Sequence, residues 1–127
     1  MFLEHVGICA KDTIALKDWY VDVFGFEVVY DNKKSMPTYF LALPDKSMIE
    51  IYHMDNEKEN NHNNKDQGIR HLAFGTDNIE KEYQNLLDKG VEIVDELAIN
   101  EKGIGTAFFK DIEGNILHFI QRPERLI

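Results

Sequence analysis

An α+β fold made of one βαβββ unit used twice is what this sequence predicts, and three observations predict it. A strand, a helix and three returning strands read in the same order through both halves. Matching landmarks keep nearly one offset: 71 − 5 = 66 for the opening histidines, 90 − 25 = 65 for the helix-ending glycines, 118 − 50 = 68 for the final strands. After each glycine the text almost repeats, Gly25-Phe26-Glu27-Val28-Val29 against Gly90-Val91-Glu92-Ile93-Val94.

The first half opens with an alternating strand from Leu3 to Ala10. Leu16, Trp19, Tyr20 and Val23 then recur at spacings of three, four and seven, the apolar stripe of a helix. Asp12 or Thr13 is placed to cap its start, and Gly25 ends it where a left-handed residue costs least. Phe26–Tyr30, Thr38–Leu43 and Met48–Tyr52 are rich in aromatic and β-branched residues and read as strands. The polar stretch Asp31–Pro37 and the tight Pro44–Ser47 join them.

The second half repeats this grammar. Ile69–Gly75 is a strand, and Asp77 or Asn78 caps a helix whose buried stripe is Ile79, Tyr83, Leu86 and Leu87. Gly90 stops it, and Val91–Val94, Thr106–Phe109 and Asn115–Gln121 are the returning strands. The modules span about 1–54 and 69–122, with a linker over 55–68 that is dominated by Asn, Glu, Lys and Asp between Asp55 and Gln67. His62 lies there and is expected to be solvated. A linker this short predicts that both modules pack as a single domain over residues 1–127.

Charge and composition exclude some roles. A net charge of −9 and a pI near 4.9 argue against nucleic acid and anionic membrane as partners, because both need a basic surface. Cys9 is the sole cysteine, so no intrachain disulfide closes, and a reducing cytoplasmic setting is expected. The segment MFLEHVGICAKD lacks the basic and apolar runs of a signal peptide, and no run of apolar residues is long enough to span a bilayer.

The doubled pattern has a chemical content. His5 and Glu50 sit on the first and last strands of one half, His71 and His118 on the first and last strands of the other. The separations, 50 − 5 = 45 and 118 − 71 = 47, nearly agree. Two folded copies related by a pseudo-twofold axis would bring the four side chains together as a metal site. A lone strand histidine is ordinarily a hydrogen-bonded structural residue, and Glu50 alone has Arg70 or Lys46 as alternative partners. What favours a metal is that all four ligand-type residues fall at equivalent ends of the repeat. Strand parity places Glu50 with Met48 and Tyr52, and His118 with Ile116 and Ile120. The same parity makes His5 and His71 inward-type positions. A carboxylate there is costly unless paired or metal-bound. Three imidazoles and one carboxylate suit Zn, Ni, Fe or Co better than Mg or Ca.

Other residues carry blander expectations. His53 has the wrong parity to join Glu50, Cys9 is expected to be a small buried filler, and Trp19, Tyr20, Phe24 and Tyr83 are expected in the helix-to-sheet core. Tyr39, Tyr52, Thr106 and Phe108 are candidates to line a pocket. Arg70 and Arg122 are candidates to receive a substrate carboxylate, with surface solvation as the alternative.

Five stretches together resemble the vicinal oxygen chelate superfamily, the glyoxalase, bleomycin-resistance and extradiol dioxygenase group. They are His5-Val6-Gly7-Ile8, Trp19-Tyr20 to Gly25-Phe26, Met48-Ile49-Glu50, Arg70-His71-Leu72-Ala73-Phe74 and Phe109-Lys110-Asp111-Ile112-Glu113-Gly114-Asn115. The resemblance covers essentially the whole chain, and the turn from Asp111 to Asn115 is its most specific piece. It implies a cupped, partly open mixed β-barrel with helices on the outside, and a divalent metal that binds substrate through neighbouring oxygens. His5, Glu50 and His71 match the first three ligand places of the family. The fourth place normally holds glutamate, and here it holds His118, a departure that weakens a direct lactoylglutathione lyase assignment.

The function expected on this basis is that of a metal-dependent lyase or isomerase of glyoxalase type, in which Glu50 and His118 are also the candidate catalytic bases. Its substrate would be a small molecule with a carbonyl, thioester-like or hemithioacetal-like. A dioxygenase or epimerase on the same fold and a sequestering protein of the bleomycin-binding kind are the alternatives. Family members of this size also imply a homodimer.

Overall fold

Two βαβββ units, Met1–Glu59 and Asn60–Ile127, divide the chain in the computed structural model, which describes residues 1–58 and 64–127. His62, expected to be solvated, lies outside the described residues. Among the described residues no helix is long and apolar enough to cross a membrane. The predicted α+β class and the repeated βαβββ pattern are both present.

In the first unit β1 (His5–Ala10) leads to α1 (Thr13–Phe24), then β2 (Glu27–Asp31), β3 (Tyr39–Ala42) and β4 (Met48–His53). The sheet runs β1-β4-β3-β2, with β1 parallel to β4 and the remaining pairs antiparallel. The chain therefore lays its last strand between its first and third, so that β4 is interior. The second unit copies this order: β5 (His71–Gly75), α2 (Ile79–Asp88), β6 (Ile93–Ile99), β7 (Gly105–Lys110) and β8 (Ile116–Gln121) form the sheet β5-β8-β7-β6, again with β5 parallel to β8.

Each core follows from alternation. In the first sheet Ile8, Ala10, Leu41, Ile49 and Ile51 are buried together with Leu16, Tyr20 and Val23 of α1. In the second, Ala107, Phe109, Leu117 and Phe119 are buried together with Ile79 and Leu86 of α2. Every large side chain among them contributes about 1.5–3 kcal/mol of transfer free energy. Tyr39, a pocket candidate by sequence, shares the parity of Leu41 and belongs to the first core.

The helix ends come out as the sequence indicates. Asp12 accepts from the Ala15 amide at 2.9 Å, and Asn78 accepts from the Lys81 amide at 3.1 Å. Gly25 takes φ 69° and donates to the Val21 carbonyl at 2.9 Å. A Cβ built there meets nothing within 4 Å, so Gly25→Ala incurs only the left-handed backbone cost. A loss of about 1 kcal/mol in urea unfolding is the expected result, and an unchanged midpoint would contradict it.

Several boundaries differ from the sequence reading. The opening strands begin at His5 and His71, not at Leu3 and Ile69, and both of those residues are exposed. The first ladder rungs are His5 with Met48 and His71 with Ile116, so the preceding residues have no strand to pair with. Strand β6 continues past Val94 to Ile99 because irregularities at Asp95 and Ala98 fit Asp95 and Glu96 onto an edge strand. Leu87 is exposed rather than buried, since Ile79 and Leu86 already fill the inner stripe of α2. Cys9 is also exposed and is no filler: the inward places on β1 belong to Ile8 and Ala10.

Candidate functional site

The parallel ladder of each unit sets two ligand-type residues side by side. In the first, Gly7 pairs with Glu50, and His5 lies two residues earlier on the same face. In the second, Ala73 pairs with His118, and His71 lies two residues earlier. The arrangement is the same in both units, one histidine diagonal to the residue on the last strand.

In the first unit Nε2 of His5 stands 3.5 Å from Oε2 of Glu50. Two ligands of one tetrahedral ion, each bonded at about 2.1 Å, lie roughly 3.4 Å apart, so this spacing suits a shared cation. The face is open: His5 is exposed and Glu50 is half-buried. Phe40, which pairs with Glu50 across β3 and β4, packs edge-on against His5 with ring centroids 5.3 Å apart. Tyr30 meets Phe40 edge-on in turn. Tyr52 shares the Glu50 face opposite Cys9, and its phenol is pushed up chiefly by desolvation and then by Cys9 and Glu50.

The second unit matches it with nitrogen for oxygen. The His71 and His118 rings lie 4.8 Å apart. Phe108 pairs with His118 across β7 and β8, stacks on its ring at 4.4 Å and meets His71 edge-on at 5.6 Å. Phe40 and Phe108 are thus repeat equivalents, each packed against its unit's histidine ring. His118 is buried, and its Nδ1 has no hydrogen-bond partner among the described residues. Burial first, then His71 and Arg122, lowers its pKa to about 4, so the ring is neutral near pH 7 and keeps a lone pair for a cation.

The turn before β8 fixes where His118 falls. Asp111 accepts from the amides of Glu113 and Asn115 and from the Asn115 side chain at 2.8–3.0 Å, while Gly114 takes φ 85°. These bonds close the turn and set the register of Ile116–Gln121 against both neighbouring strands.

Each unit therefore brings together two of the four sequence-identified residues. Within either unit, no group of three or more His, Cys, Asp or Glu side chains among the described residues is placed to hold a metal. His5 and His71, expected at inward positions, are both exposed, because the inward parity of β1 and β5 belongs to Ile8, Ala10, Leu72 and Phe74. Glu4 and Asn64, which hydrogen-bond to His5 and His71, and Phe40 were not legible in the sequence. The signal for Phe40 lay in register: it is the residue opposite Glu50.

Residues 2–119 match the sequence model of the Glyoxalase/Bleomycin resistance protein/Dioxygenase superfamily. The chain is 29% identical over 93 residues to the uncharacterized protein YwkD of Bacillus subtilis (strain 168), covering 71% of this chain and 73% of that one. It is similar to the crystal structure of a glyoxalase family protein from Enterococcus faecalis, with 29% identity, a TM-score of 0.79 and coverage of 94% and 96% of the two chains. A glyoxylase/bleomycin resistance protein/dioxygenase domain from Frankia sp. EAN1pec shares the fold at a TM-score of 0.81 and 15% identity, over 98% of this chain and 93% of that one.

Proposed function

The chain belongs to the Glyoxalase/Bleomycin resistance protein/Dioxygenase superfamily, and from that premise we propose that it is a divalent-metal-dependent enzyme of glyoxalase type. It acts as a lyase or isomerase beside a carbonyl of a small thioester- or hemithioacetal-like substrate. The observation that carries this reading is the repeated pair, His5 with Glu50 and His71 with His118, built on one ladder geometry in both units.

In this reading His5, Glu50, His71 and His118 hold the ion. The donor set fits one: the His5–Glu50 spacing is that of two ligands, and His118 offers a buried neutral ring whose Nδ1 lacks a partner among the described residues. Its nitrogen-rich character favours Zn, Ni, Fe or Co. When bound, such an ion supplies Lewis-acid stabilisation of negative charge on substrate oxygens.

The remaining work falls to the protein. Glu50, half-buried on the interior strand β4 between Gly7 and Phe40, takes the proton from carbon beside the carbonyl and returns it to the neighbouring carbon, since a carboxylate is a competent base. His118 is the second candidate base and a weak one, because burial lowers its pKa to about 4. Phe40 and Phe108 form apolar walls against the ligand rings, and such walls limit competition from water for the reacting proton.

The test is to strip the purified protein with a chelator and reload it with each of the four metals. About one ion per chain, a raised unfolding temperature and metal-dependent isomerisation of a methylglyoxal–thiol adduct are expected, because a ligand bound only by the folded state stabilises it. A stripped protein that takes up none of these ions would refute the reading. Oxygen consumption in place of isomerisation would point to a dioxygenase. A second reading, sequestration of a small molecule without turnover, is favoured by the exposed Tyr30 and Tyr52 beside Phe40 and Glu50. It predicts ligand binding that is unchanged by chelator.

A further inference from the structure

The two histidines that open the repeats are each held at Nδ1 by a side chain with no part in the chemistry above. Nδ1 of His5 donates to Oε2 of Glu4, and Nδ1 of His71 donates to Oδ1 of Asn64 at 2.9 Å. A carboxylate or amide oxygen only accepts, so in each neutral ring the proton sits on Nδ1 and the lone pair is left on Nε2. In His5 that Nε2 is the atom 3.5 Å from the Glu50 carboxylate. A lone pair and a carboxylate oxygen converging in this way favour a cation between them. Glu4 is exposed, and an exposed pair of this kind contributes little to folding, so stability does not account for the contact.

We propose that Glu4 and Asn64 are positioning residues of the metal centre, fixing the tautomer and ring orientation of His5 and His71 so that Nε2 of each is the donor atom. This rests on the metal reading above and extends it to residues outside the ligand set. The two differ in kind. Glu4 brings a negative charge that makes its ring a stronger donor, and Asn64 brings only an oriented dipole. Asn64 belongs to the segment before β5, so that segment supplies part of the site as well as joining the repeats. His118 has no counterpart among the described residues: burial and the stacked Phe108 hold its ring instead.

The experiment has two readouts. Nitrogen-15 NMR of the metal-free protein, at a pH where the rings are neutral, should show His5 and His71 as Nδ1–H tautomers. Glu4→Ala should convert only His5 to a tautomer mixture, and Asn64→Ala only His71. Cobalt titration should then show affinity reduced about 10–100-fold in each variant, with Glu4→Gln recovering part of the loss. Wild-type protein that takes up no cobalt overturns the metal reading and this inference with it. Wild-type protein that binds cobalt no better than both alanine variants overturns this inference alone, as do variant spectra in which neither histidine changes.

Discussion

Glu50→Gln is expected to lower kcat/KM for isomerisation about 10³-fold, within the range that a positioned general base supplies. The substitution keeps the volume of the side chain and one oxygen acceptor, and it removes the basicity and the negative charge. Because Glu50 is half-buried and faces away from Ile49 and Ile51, the core should not respond. Unfolding midpoints of the metal-free variant should stay near those of the metal-free parent while turnover of the loaded protein collapses. Metal content measured alongside separates the two assigned roles. A variant that loses its ion as well has lost a ligand, whereas one that retains the ion but not the rate has lost a base. Undiminished activity in Glu50→Gln would remove this residue from the reaction.

The second large effect concerns acid. His118 has a folded-state pKa of about 4 against an ordinary value of 6.5. As pH falls below 6.5 the unfolded chain takes up a proton at this ring that the folded chain refuses until about pH 4. Stability tied to His118 is therefore fully present above 6.5 and drains away across that window, by an amount on the order of 3 kcal/mol. His5 shifts the other way, raised first by its bond to Glu4, but it is exposed and offsets little. Urea unfolding of the chelator-treated protein and of His118→Leu, at intervals from about pH 8 to pH 4, isolates the effect. The wild type should lose stability more steeply than the variant, and parallel curves would show that the ring protonates freely in the folded state.

Much of this was open to reading in the linear text, and what was not has a physical cause. The periods of α1, the glycine stops and the repeated phrase after Gly25 and Gly90 are local, so they survive without knowledge of tertiary contacts. The four ligand-type residues were legible because a duplicated unit marks equivalent places. Exposure was harder. Parity groups Cys9 with His5 and Gly7, yet nothing local says which face the helix covers, and the expectation of a buried Cys9 puts it on the wrong one. Phe40 carries no local signal, because its importance comes from lying opposite Glu50 and cross-strand register is set by turns and bulges elsewhere. Glu4 and Asn64 were invisible for the same reason: each is an ordinary polar residue until the fold sets it against an imidazole.

Gly7 faces Glu50, and Ala73 faces His118. A methyl group at Gly7 would come 3.2 Å from Tyr52 Cε1 and 3.5 Å from Glu50 Oε2. The tight approach is to the Tyr52 ring, while the carboxylate stands at an ordinary contact distance. The glycine opposite the acid therefore makes room for the tyrosine two residues further along β4 rather than for the acid itself. An alanine at Gly7 would thus displace the Tyr52 ring and leave the carboxylate in ordinary contact.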